Sequence, residues 1–315
     1  MRSKKNWMAG MLAASLVMSS FAGGTVSKAA FNPKGENAKL AQYQLYDVDR
    51  DGYKEMFIGY ASGEKISVDV YGYDKSLGAI TRLKTFNKVI AFKKNSKKKQ
   101  IVVATSGSAK AETYTTYKIS KNKLKKVVTY SKNKQVYKKN GKNVKASVYN
   151  NYVRGVKKLT DLKGKEYSAA EKKTLFSKKN WDLADGFGKK IENVLKYVPF
   201  NMKKDSSIDG SMPGPFYTLN KTSHKITEIY YGGKQYYVEG VKVGNTMKKA
   251  SDKLKSDGWK FHEVTFAHGT ASAVVSYKKD GKIIDIISDT EGDFDNVTEE
   301  ANVKNGKVGS IFLRK

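Results

Sequence analysis

Residues 66–71 read Ile-Ser-Val-Asp-Val-Tyr, so that Ile66, Val68 and Val70 alternate with Ser67, Asp69 and Tyr71. A side chain returning to the same face at every second position is the period of a half-buried strand. The same period recurs at Thr113, Thr115, Tyr117 and Ile119, and apolar strand residues stand on both sides of an acidic turn, at 43–46 and 56–60. Lys-Asn and Asn-Gly pairs punctuate these runs. Asn140-Gly141, between Gln135-Val136-Tyr137 and Val144, predicts a tight hairpin turn, because both central residues tolerate positive φ. Residues 43–137 are therefore expected to form antiparallel hairpins.

Beyond them the period changes. Val148, Tyr149, Tyr152, Val153 and Val156 share one face at helical spacing, so a helix starting near Ala146 is expected to pack on the preceding sheet. From 160 to 198 the pattern is helical and heavily charged. Ser168 and Glu171 are spaced as a capping box, and Ile191, Val194, Leu195 and Val198 form a second apolar stripe. A stretch rich in Ser, Gly and Pro follows at 205–215. Strand patterns resume at 226–231 and 235–243, and a short helix is predicted over 246–255. Asn245 is placed to cap it, Met247, Ala250 and Leu254 give its buried face, and Gly258 suits the left-handed residue past its end. Strands are predicted again at 261–266, 272–277, 283–287 and 308–313. The fold class read this way is α+β: a β-rich domain of antiparallel hairpins (30–158), a helical connector and loop (159–215), and a small α+β domain (216–315).

The first 29 residues read differently from the rest. Arg2, Lys4 and Lys5 precede an apolar run from Trp7 through Met18, and small residues continue to Ala30. This is the pattern of a cleavable secretory signal, with Ser27 and Ala29 fitting a cut between Ala29 and Ala30; a cut after Ala22 is the alternative. Ser15, Ser19, Ser20, Gly23 and Gly24 break the run short of the roughly 20 apolar residues that a spanning helix needs. The expectation is a secreted, extracellular protein. Its lack of cysteine excludes a disulfide framework, leaving the core or a bound metal to hold the fold.

The chain carries 60 basic and 30 acidic residues, a formal charge of +30, and loss of Arg2, Lys4, Lys5 and Lys28 with the signal leaves +26. Such a field points to an anionic partner. All basic residues except Arg2, Arg50, Arg82, Arg154 and Arg314 are lysine. Arginine is the residue that grips phosphates and base edges bidentately, so its scarcity argues against specific nucleic-acid readout. An anionic cell-wall or extracellular polymer is the partner this composition fits. Many of the lysines, such as Lys97-Lys98-Lys99, Lys125-Lys126 and Lys138-Lys139, sit in short clusters that would also keep strands from pairing edge to edge.

Catalytic signatures are sparse. The sequence holds no Gly-x-Ser-x-Gly elbow, no His-Glu-x-x-His and no glycine-rich phosphate loop of standard spacing. Ser-x-x-Lys occurs at Ser96, Ser120 and Ser131, as a lysine-rich chain produces by chance. His262 and His268 are six positions apart, roughly 20 Å along a strand, too far to share an ion, and with His224 they read as ordinary histidines.

The informative constellation is Asp47-Val48-Asp49-Arg50-Asp51-Gly52-Tyr53-Lys54-Glu55. Calcium takes six or more oxygens at about 2.3–2.6 Å, and oxygen donors at every second position of a tight loop converge on one ion. Asp47, Asp49 and Asp51 offer carboxylates, Tyr53 its carbonyl, Gly52 permits the turn, and Glu55 closes the shell. The twelfth position, where a helix-loop-helix site places its glutamate, is Ile58. The loop resembles the calcium-bearing β-hairpin of integrin-type FG-GAP repeats, over about twenty residues and once in the chain, so no propeller is implied. That resemblance implies a structural calcium ion with Asp47, Asp49, Asp51, Tyr53 and Glu55 as ligands. It departs at Arg50, where such loops often carry a neutral residue. The chain as a whole looks like secreted proteins of Gram-positive anaerobes that join such a hairpin to a Val-Gly-x-Thr element, here Val243 to Thr246; no activity follows from that likeness.

A second acidic patch runs from Asp285 to Glu300 without a lysine or arginine, and within it Asp289, Glu291, Asp293 and Asp295 alternate around Gly292. It reads first as a loop that pairs with the lysine-rich surface, and alternatively as a second cation site. Two function classes follow. One is a secreted, non-enzymatic binding or cell-envelope-associated protein with a structural calcium site. The other is a hydrolase of extracellular polymer using C-terminal carboxylates such as Asp289 or Glu291, which would have to stand roughly 5–10 Å apart across a cleft.

Overall fold

The computed structural model describes residues 42–62, 65–108, 110–171, 182–195, 215–234, 236–266, 273–289 and 306–315. The expected leader at 1–29, residues 205–214 of the Pro- and Gly-bearing stretch, Val198, His268, and the acidic patch beyond Asp289 lie outside these residues.

The chain is β-rich with some helix, and its sheets are antiparallel. Strands β1 (Gln42–Tyr46), β2 (Glu55–Ser62), β3 (Lys65–Asp74) and β4 (Ala79–Phe86) form a meander. Next come β5 (Val89–Asn95), β6 (Gln100–Ser108), β7 (Ala111–Ile119), β8 (Leu124–Asn133), β9 (Val136–Lys139) and β10 (Lys142–Asn143), then helix α1 (Ala146–Lys157) and β11 (Thr160–Asp161). This group builds a seven-stranded sheet in the order β10-β9-β8-β7-β6-β5-β11. Helix α2 (Ile191–Leu195) leads into β12 (Phe216–Leu219), β13 (Ile226–Tyr231), a hairpin of β14 (Tyr237–Val238) and β15 (Val241–Lys242), helix α3 (Met247–Ser256), and strands β16 (Lys260–Phe266), β17 (Ala273–Lys279), β18 (Lys282–Ser288) and β19 (Val308–Arg314). Six of these strands extend the first meander into a ten-stranded sheet, ordered β1-β2-β3-β4-β12-β13-β19-β18-β17-β16. The join is narrow: Phe216 pairs with Ala79, the Tyr217 N–H donates to the Gly78 carbonyl at 2.6 Å, and the Tyr73 hydroxyl donates to the Tyr217 carbonyl at 2.7 Å.

The alternation at 66–71 places Val68 and Val70 on one face of β3, but the strand is buried on both faces rather than one. Ser67, Asp69 and Tyr71 are also inaccessible, because the meander is sandwiched between two cores. On one side Phe57, Val68 and Val70 meet Phe86, Phe92, Ile101, Val103 and Tyr117, closing the two sheets over each other. On the other, Met56, Ile58 and Tyr71 belong to the larger core that runs under α2 and α3 to Ile284, Ile286, Ile311 and Leu313. Asp69 is tolerated there because the Thr85 hydroxyl donates to its carboxylate at 2.6 Å, and a buried charge without such partners is strongly unfavourable.

The Asn140-Gly141 turn forms as the dipeptide requires, with φ of 48° and 84°, between Lys139 and its partner Lys142. Helix α1 packs back on β8 and β9, with Tyr152 stacked on Tyr130 at 3.9 Å between ring centroids. Val148 faces solvent instead of the sheet, so the buried stripe is narrower than its spacing implied. The reciprocal capping box of Ser168 and Glu171 is made, at 2.8 and 3.2 Å. The connector is not one helix, however. Thr160–Asp161 pairs with β5 to complete the second sheet, and Leu183–Gly186 forms a 3-10 turn ahead of α2. Thr246 rather than Asn245 caps α3, accepting from the Lys249 N–H at 3.2 Å, while Asn245 accepts from the Lys242 N–H. The strand expected over 235–243 is divided by a Glu239-Gly240 turn, both residues at positive φ. Among the described residues no helix is long and apolar enough to cross a membrane.

Candidate metal centre

The loop of residues 47–54 closes the hairpin in which Tyr46 pairs with Glu55. Val48, fully buried in the inter-sheet core, pins it from within. Two left-handed residues turn the chain, Arg50 at φ 58° and Gly52 at φ 92°, and Arg50 itself is exposed. Asp47 accepts the Asp51 N–H at 3.2 Å and the Gly52 N–H at 3.0 Å, and Asp51 accepts the Tyr53 N–H at 2.9 Å. These bonds curl the backbone around its own aspartates. Glu55 enters from the first position of β2, where its Oε2 accepts the Val48 N–H at 2.9 Å.

Asp47, Asp49 and Glu55 each bring one carboxylate oxygen to within 4.8 Å of the others. Two oxygens bound to one calcium at about 2.3–2.6 Å stand no more than about 5 Å apart, so this spacing fits a shared ion. Asp51 is engaged outside that trio, with Oδ2 on the Lys75 ammonium at 2.9 Å. The electrostatics are unfavourable as they stand. Burial, followed by the charges of Asp51 and Asp47, raises the Asp49 carboxyl above its ordinary range. Burial, aided by Asp49 and Asp51 and opposed by the Val48 N–H, pushes Glu55 up to about 8. Asp49 Oδ1 is buried without a hydrogen-bond partner among the described residues. Three carboxylate oxygens of one sign this close together could hold a hard cation, which prefers oxygen donors.

The surroundings brace the loop. Tyr53 lies parallel to His224, ring centroids 4.2 Å apart, and the Lys75 ammonium sits 4.3 Å from the Tyr53 centroid. A Cβ on Gly52 would stand 3.0 Å from His224 Cε1. Lys54 pairs with Glu192 of α2 at 3.2 Å. His224 is thus a structural neighbour of the loop that sequence reading passed over as ordinary; only its place in a turn (Asn220 accepts the Thr222 and Ser223 N–H groups) marks it locally. His262 stands at a register shift in β16, beside Glu263, far in the chain from the loop. Of the C-terminal acids, Asp289 accepts the Lys307 N–H at 3.2 Å, and Asp285 is buried between the Ser276 hydroxyl and Arg314 at 2.7 and 3.0 Å. Compared with protein-family models, curated proteins and solved structures, the chain matches none.

Proposed function

We propose that the chain is an exported, non-enzymatic binding protein of the cell envelope or extracellular space, whose 47–55 loop holds one structural calcium ion and whose lysines meet an anionic polymer. The observation that carries the metal reading is the convergence of Asp47, Asp49 and Glu55 with an unpaired, buried Asp49 Oδ1. Calcium offsets their mutual repulsion and gives Glu55 a reason to ionise. Asp51 and the Tyr53 carbonyl complete the ligand set that the FG-GAP-like loop pattern implies. The role of the ion is to stiffen the hairpin that begins the ten-stranded sheet. Export is supported by the residues 2–29 pattern, and the anionic partner by the excess of 60 basic over 30 acidic residues.

Calorimetric titration tests the metal assignment. One calcium ion per chain should bind with a dissociation constant of about 10⁻⁴–10⁻³ M, the range of extracellular modules. Magnesium, which demands a tighter octahedral shell, should bind more weakly. Equal affinity for both ions, or no heat with either, would remove the assignment.

A further inference from the structure

From Thr113 to Thr160 the chain contains no aspartate or glutamate and fourteen basic residues, thirteen of them lysine. These 48 residues supply +14 of the +30 formal charge. They are also one piece of the structure: most of β7, then β8, β9, β10 and α1, joined edge to edge and by α1 packing on β8 and β9. Every basic side chain in the segment is exposed except that of Lys132, which is half-buried.

Elsewhere several lysines pair with carboxylates: Lys54 with Glu192, Lys75 with Asp51, Lys93 with Asp161, Lys253 with Asp257, and Lys282 with Glu239. Among the described residues no such pair involves residues 113–160. A surface that only solubilises mixes both signs, and a defended strand edge needs charge only at the edge. Here the charge continues onto α1, which has no edge to protect, with Arg154 and Lys157 in its last turn. Self-repulsion of this density is an electrostatic cost that an opposite charge removes.

The kind of opposite charge follows from what the unit lacks. Its aromatic rings are turned inward and packed on one another beneath α1, Tyr130 on Tyr152 and Tyr114 and Tyr137 on Tyr149. The exposed large side chains are aliphatic: Val127, Val136 and Val148. Single-stranded nucleic acid is gripped by stacking its bases on exposed rings, and this unit offers none. It offers compact ammonium groups, which bind phosphate as point charges. We propose that the β7–β10 and α1 unit is the polymer-docking end of the protein and takes a linear polymer with phosphodiesters in its backbone. This rests on the reading of the chain as a binder of anionic polymers, but not on the calcium site.

The test uses the full protein with poly(glycerol phosphate) as probe, from 0.05 to 0.5 M NaCl, with polygalacturonate and duplex DNA as the other arms. A quadruple variant, Lys125→Gln, Lys126→Gln, Lys138→Gln and Lys142→Gln, is compared with a control at exposed positions elsewhere, Lys221→Gln, Lys249→Gln, Lys260→Gln and Lys278→Gln. Each phosphate contact contributes about 0.7 to the log–log salt slope for single strands, so losing four should flatten it by about 3. Binding at 0.1 M salt should weaken at least ~10-fold, and the control should stay within about twofold. Melting should not fall in either, since the side chains are exposed and the quadruple variant only relieves repulsion. Equal losses in both variants would overturn the docking end while leaving the anionic-polymer reading intact. Tighter binding to polygalacturonate would overturn the phosphate assignment, and tighter binding to DNA, itself a phosphodiester polymer, would overturn the exclusion of nucleic acid while keeping phosphate as the group bound. No binding to any of the three would overturn both readings.

Discussion

Tyr53 and His224 lie face to face, ring centroids 4.2 Å apart and planes 14° from parallel. One belongs to the acidic loop of the first hairpin and the other to the turn before β13, so the stack ties the loop to the second half of the ten-stranded sheet. The main-chain join between those halves is narrow, at Phe216 and Ala79. Side chains around the loop therefore carry part of the connection: the stack, the Lys54–Glu192 pair, and Tyr73 on the Tyr217 carbonyl.

Removing one ring should be felt at the seam. His224→Ala is expected to cost about 0.5–1.5 kcal/mol of stability, the worth of an aromatic pair beyond its buried area. Gly52→Ala should cost more, about 1–3 kcal/mol, because its φ of 92° is strained for any side chain and the new Cβ meets His224 at 3.0 Å. Urea unfolding of the two variants checks both. In a His224→Ala background, Gly52→Ala should keep only the backbone part of its penalty.

Glu55 makes stability depend on pH. Its folded-state value of about 8 lies above the ordinary 4.5, so its contribution is fully present below 4.5 and is lost as pH rises through 8. In chelator the protein should therefore lose stability steadily between these limits, on the order of a few kcal/mol in total. Glu55→Gln keeps an oxygen for the Val48 N–H and cannot ionise. It should flatten the profile and remove the calcium response together. Denaturant midpoints across the pH range, with and without calcium, measure this.

Two side chains test the fold itself. Phe92 is fully buried where the sheets meet, edge-on to Phe57 at 5.6 Å and to Phe86 at 5.5 Å. Phe92→Ala should cost about 3–5 kcal/mol. A loss below about 1 kcal/mol in urea unfolding would mean that the two sheets do not close over this ring.

Asp182 holds the 3-10 turn to the β14–β15 hairpin, accepting N–H groups from Ala184, Glu239 and Gly240 at 3.0, 3.0 and 2.7 Å. Asp182→Ala strands all three donors and should cost about 2–4 kcal/mol, at about 1–3 kcal/mol for each buried donor left unpaired and with solvent reaching some of them. Hydrogen exchange at Glu239 and Gly240 should accelerate in the same variant.

Much of this fold was legible because local chemistry and final structure agree. Asn140-Gly141 turns, Ser168 and Glu171 cap each other, and Met247, Ala250 and Leu254 face inward as their spacing requires. Sequence reading failed where the deciding contact is distant. Nothing near Phe216 announces an edge for Ala79, and nothing near Asp69 says that a polar strand face will be covered. The acidic loop was visible as a pattern of alternating oxygens; its brace, His224, was invisible because stacking on Tyr53 is a property of the folded chain. The contact of Lys75 with Asp51 Oδ2 is likewise a property of the folded chain that the alternation of acids does not announce.

Melting of the wild-type protein in 1 mM calcium and in chelator tests the central claim most directly. At the affinity of extracellular calcium modules, mass action should stabilise the folded state by roughly 0.4–1.4 kcal/mol, a rise of roughly 1 to 5 °C. Asp49→Ala should melt at the same temperature with and without the ion. In chelator it should be no less stable than the wild type, because it relieves a half-buried carboxylate crowded by Asp51 and Asp47. Identical wild-type melting in calcium and in chelator would contradict the account and make the loop an acidic turn without an ion.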